Sequence, residues 1–174
     1  MKNDLQTTIA HTKDELLKAL DLFNQGNINA IPFEGSWTGG QVAEHVLKSV
    51  SGIAQTLNGP SKTTERNPEE HIKMFGEVFL NMNIKMKSPD FIIPSDSPKD
   101  KTVLHSSLEK AFDGIEDAAE KNNLTETCTT FEMPTIGLIT RIEWIHFACF
   151  HTKRHTQQLK NIAHHLNIAE IEQD

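Results

Sequence analysis

The sequence predicts an all-α fold, a bundle of four long helices with a long connection between the second and the third. Three observations carry this. Apolar residues recur at spacings of three and four in four separate stretches, two of those stretches open on a capping box, and strand-like alternation is weak throughout. With 174 residues the chain has the length for one domain with a real core, so residues 1–174 are read as a single domain.

Helix one is expected from about Thr8 to Phe23, where Ile9, Leu16, Leu17, Leu20 and Phe23 share one face and "NQG" follows as a stop. The stretch "NINAIPFEGSW" is a loop broken by Pro32 and Gly35. Thr38 and Gln41 then match the S/T-x-x-Q capping box, and helix two should run to about Leu57 on Val42, Val46, Val50, Ile53 and Leu57. Residues 58–98 carry five prolines and read as a long connection holding a short amphipathic helix around Glu69 to Asn81. Ser97 can cap helix three, with Pro98 in its first turn and Asp100 at the positive end of the dipole. Helix three then ends near "KNNL". Thr140 and Glu143 form a second capping box, opening a final helix that reaches about Leu166. "DFIIP" and "TCTTFEMP" are the two candidates for short extended pieces.

Lys and Arg number 17 against 24 Asp and Glu, a formal charge of −7 with no basic run. Nucleic acid is therefore not an expected partner, since phosphate binding needs a clustered positive face. The segment "MKNDLQTTIAHTKDELL" places charges where a signal peptide would be apolar, and no apolar run approaches the roughly 20 residues of a membrane span. The expectation is a cytoplasmic protein with no membrane partner. Cys128 and Cys149 lie in no CxxC pair and read as reduced thiols.

On the last helix Trp144, Ala148, His151, His155, Leu159, Ile162 and Leu166 follow one another at spacings of three and four. Both histidines therefore sit in the stripe that must face the core. Residues four apart on a helix differ by about 40° in azimuth and about 6 Å along the axis, so two such rings can converge on one ion or be two buried, hydrogen-bonded imidazoles. A third ligand must come from another helix. His45 is the best candidate, on the rim of helix two's apolar stripe, with His105 and His71 as rivals. His146 points about 140° away from His151 and cannot share its ion.

Two segments resemble the DinB-like family of small four-helix bundles. "SWTGGQVAEHVLKSV" looks like its W-[S/T]-x-x-Q-x-x-x-H segment, and "MPTIGLITRIEWIHFACFHTKRHTQQL" looks like its P-x-x-G-x-L-T-x-x-E-W approach to H-x-x-x-H-x-x-Q. The resemblance implies an up-down-down-up bundle, commonly a two-fold homodimer. It also implies a divalent ion, zinc or nickel, held by one histidine of helix two and two of the last helix. Residue by residue these are His45, His151 and His155.

Trp37 is read as packing at the start of helix two, and Gln158 as holding a ligand ring, meeting a partner subunit or being an ordinary buried amide. Lys153 and Arg154 are read as solvated charges. Phe79, Met82, Phe131 and Met133 are read as core in preference to pocket lining, and Pro134 and Gly137 as turn chemistry. Three protein nitrogens leave a coordination position open, as in a catalytic site. Family members are described as thiol-dependent transferases or isomerases and as hydrolases. Between His151 and His155 lie Thr152, Lys153 and Arg154, with no carboxylate to serve as a base. The expected function is a metal-dependent enzyme, a transferase using a low-molecular-weight thiol on a small-molecule substrate. A metal-dependent hydrolase is the rival, with Glu44 or Glu143 as its base. A non-catalytic metal-binding bundle, used for ligand binding or dimer assembly, is the third reading. Neutral imidazole is the ligand form, so metal affinity is expected to fall below about pH 6.5.

Overall fold

In a computed structural model that describes residues 2–168, Leu5, Ile9, Leu16 and Leu20 line one face of α1, Lys2–Asp21. That face packs on α5, Lys101–Lys121, and α6, Arg141–His165, against which α2, Gly39–Val50, also packs. The structure is mostly helical. Burial follows the predicted stripes, with Leu104, Leu108, Phe112 and Ile115 buried on α5, and Leu159 and Ile162 buried on α6.

Both capping boxes form. Thr38 accepts from the Gln41 amide while Gln41 accepts from the Thr38 amide, and Thr140 and Glu143 repeat the exchange. The long second helix is instead interrupted at Ser51-Gly52, and α3 continues from Ile53–Asn58. A Ser-Gly pair is a common place for a helix to bend, and the bend lets α3 lie along α5. Helix α5 starts later than Ser97. Its cap is Asp100, whose Oδ1 accepts from the Val103 amide at 3.0 Å. Ser97 is engaged with Ser95 and Lys99, while Asn29 takes the Lys99 amide at 2.7 Å and donates to the Lys99 carbonyl at 2.9 Å. These bonds hold the chain out of the helix until Asp100.

The connection between α3 and α5 contains β1, Ser61–Lys62, the short helix α4, Ile72–Phe79, and a 3-10 turn at Asp90–Ile92. Helix α4 is thus shorter than the predicted Glu69–Asn81, and "DFI" is a turn where an extended piece was expected. The other extended candidate is present: β2, Thr127–Cys128, pairs antiparallel with β1. Pro134 to Gly137 turns as expected, with Gly137 at φ 93°.

Glu143 also ties the connection to α6. It is completely buried and takes both terminal nitrogens of Arg66, at 2.8 and 2.6 Å, together with the His71 amide at 2.9 Å. Burial alone would raise its carboxyl pKa, but Arg66 and the amides of Thr140 and His71 outweigh that and hold it below the usual range. Arg66→Ala should leave this carboxylate without its counter-charge and destabilise the fold by about 3 kcal/mol, read from the urea midpoint. Adding Glu143→Gln to that variant should restore part of the loss, because no charge then stays buried.

Candidate metal centre

The Thr38 box fixes where α2 begins, and two turns later His45 falls on its buried face beside Val46, only 1 % exposed. The Thr140 box does the same for α6, whose apolar stripe carries His151 and His155 inward at 5 % and 8 % exposure. Packing of α2 on α6 brings the three rings together. The Nε2 atoms of His45 and His151 are 3.2 Å apart, and the His155 ring centroid lies 4.5 Å from each of the other two. One nitrogen from each ring lies within 4.8 Å of the others.

Neighbours fix two of the tautomers. His45 Nδ1 is 2.9 Å from the Ile92 carbonyl, which can only accept, so the proton is on Nδ1 and Nε2 keeps its lone pair. His155 Nδ1 donates to Gln158 Oε1 at 2.8 Å with the same result, which gives Gln158 the first of its three expected roles. Trp37 packs against the His45 ring, with centroids 5.1 Å apart. His71 and His105 lie outside the cluster: the His71 amide is bound to Glu143, and His105 Nε2 is 3.7 Å from Asp21. His146 packs on Phe150 instead.

The donor set suits a divalent ion. Two nitrogens each about 2.0–2.1 Å from one tetrahedral ion would be about 3.3 Å apart, close to the observed His45–His151 separation. All three imidazoles are held neutral, the form that binds metal. Burial lowers the His45 pKa, with the Ile92 carbonyl opposing it. Burial, then the neighbouring His155 and His45 rings, push His151 well down, and burial with His45 takes His155 to about 3. Burial thus opposes protonation of all three rings, the direction that carries the expected acid limit downward from about pH 6.5.

The histidines lie at one side of a cavity of about 480 Å³ whose walls include Phe79, Phe91, Phe131, Met133, Trp144 and Phe147. Met133 is buried in the core and Phe79 packs against it, as expected, while both also face the cavity; Phe131, 44 % exposed, is a wall residue instead of core, and Met82 is 45 % exposed. Thr135, a β-branched residue with φ 68°, stands in the same wall. Arg154 is also misread by sequence. It reaches across to the carbonyls of Phe79, Asn81 and Ile84, pinning the end of α4 beside the site. Neither candidate carboxylate reaches the rings, since Glu44 is paired with Lys99 at 2.7 Å and Glu143 with Arg66. Ile92, whose carbonyl orients His45, carried no signal in the sequence beyond its place in "DFIIP".

Because the folded histidines titrate below the unfolded value of about 6.5, the unfolded chain binds more protons between that pH and about 3. Stability of the metal-free protein should therefore be complete above about pH 6.5 and fall as the pH drops from there. Urea midpoints across that range should show it, and His155→Ala should remove about one proton from the dependence.

No curated protein and no solved structure matches the chain. A family model described as the DinB superfamily matches residues 8–159, which include all three histidines. The chain belongs to the DinB superfamily.

Proposed function

We propose that His45, His151 and His155 hold one divalent ion, zinc or nickel, and that the chain is a metal-dependent enzyme transferring a low-molecular-weight thiol to a small molecule. The observation that carries this is the convergence of three neutral, buried imidazoles on the wall of an apolar cavity. When bound, the ion would supply a positive charge that favours the thiolate form of a thiol, the nucleophile for transfer. The chain's own residues do the rest. Ile92 and Gln158 aim His45 and His155, and the aromatic walls exclude water and hold an apolar substrate. No aspartate or glutamate is among the described residues lining the cavity, so the chain offers no carboxylate for the leaving-group protons of a hydrolysis.

The finer architecture belongs to the same reading: an up-down-down-up bundle in a two-fold homodimer, working in the cytoplasm. The mutual packing of α1, α2, α5 and α6 supports the bundle, and no described helix is long and apolar enough to cross a membrane.

Protein purified without an affinity tag should contain about one divalent ion per chain. His45→Ala, His151→Ala or His155→Ala should each abolish that content, and His146→Ala should keep it. With metal restored, thiol conjugation of an electrophile should exceed ester and amide cleavage and be lost in His155→Ala. Metal-dependent hydrolysis without a thiol would instead favour the hydrolase, and a metal-loaded protein inactive in both assays would favour the binding bundle.

Chelation should leave the protein helical and cooperative, because the buried stripes of α1, α2, α5 and α6 form a core apart from the site. Its Tm should fall, since an ion at about 100 times its Kd stabilises the native state by about 2.7 kcal/mol. Circular dichroism before and after chelation measures both.

A further inference from the structure

The cavity's charged groups are of one sign. Among the described residues lining it the ionisable ones are the three histidines, Lys87 and Arg154, in a chain with more acidic than basic residues overall. Arg154 gives three hydrogen bonds, to the carbonyls of Phe79, Asn81 and Ile84. Of the five N–H groups of a guanidinium this leaves two, one of them on Nε, without a protein acceptor. Those carbonyls orient the side chain but do not cancel its charge, and no carboxylate among the described residues pairs with it. Lys87 is exposed on the same rim. Unmet donors and uncompensated cations beside aromatic walls are the complement of a ligand with an acceptor-only, negatively charged head and an apolar body.

We propose that the cavity takes an apolar monocarboxylate as the substrate to be modified, its carboxylate facing Arg154 and Lys87 and its body lying on the aromatic wall along α6 toward Trp144. The assignment rests on this cavity being the working site of the proposed enzyme, but it does not depend on which ion the histidines hold. Trp144 and His151 are two helical turns apart, about 10 Å, which suits a body the size of a phenylalkyl chain. Arg154 then has two tasks, fixing the end of α4 and selecting charge.

The test titrates the protein as purified, with its metal content measured on the same sample, with 4-phenylbutyrate and its neutral amide, followed by tryptophan fluorescence and calorimetry. The carboxylate should bind at least about tenfold more tightly than the amide, and the preference should weaken with salt. Arg154→Gln should remove most of the preference. Because that variant also loosens α4, Lys87→Gln serves beside it; it should reduce carboxylate affinity about threefold and leave amide affinity unchanged. Equal affinities for the two probes would overturn the proposal. So would a preference that survives both substitutions and disappears on chelation, since the ion alone would then select the carboxylate. Metal content below one ion per chain with the preference intact would count against the proposed enzyme and in favour of this carboxylate site.

Discussion

The ion pair between Glu143 and Arg66 joins two problems that the fold must solve at one place. The N-terminus of α6 is buried and its free amides need acceptors, while the connection between α3 and α5 needs an anchor on the bundle. One carboxylate serves both, closing the Thr140 box and taking Arg66 and the His71 amide. Arg154, farther along the same helix, makes the second attachment through the carbonyls at the end of α4 and just beyond it. Between these two clamps α4 packs on α6, and the cavity lies beyond them, walled by Phe79 and by residues 86–92 of the connection.

Burial of the histidines follows from the same helix. An apolar stripe has to face inward, and His151 and His155 occupy it, so their imidazoles are drawn from water by the packing of their neighbours. A buried polar group is tolerated when it is partnered, which explains why the Ile92 carbonyl and the Gln158 amide stand where they do. One nitrogen of each ring is turned toward the others, and His151 Nδ1 alone of the outer ring nitrogens is buried without a partner. Without a cation between them, the close approach of His45 and His151 could be satisfied only by one ring donating to the other.

Much of this could be read along the chain. The capping boxes and the three-four spacing placed the starts of α2 and α6 and the inward face of each, and with them His151 and His155, while His45 stood on the rim of its stripe and joined them through the family resemblance. Local rules failed where long-range bonds competed with them. Ser97 was a sound cap by its own chemistry, but Asn29 and Lys99 kept that segment extended. The predicted single second helix bends where Ser51-Gly52 permits it and α5 rewards it with contacts.

What the sequence by itself determined is therefore the set of helices, their buried faces and the inward direction of His151 and His155, with His45 placed on the rim of its stripe, because periodicity and capping act within a few residues. Only the tertiary structure decided what those faces enclose. Phe131 has the composition of a core residue and became a pocket wall, Phe79 and Met133 serve core and wall together, and Arg154 has the pattern of a surface charge and became a strap. The physical reason is that whether an apolar or charged side chain meets protein or open space depends on the path of the 59–100 connection. That path is set by bonds between residues some seventy positions apart, such as Arg66 with Glu143 and Arg154 with Phe79.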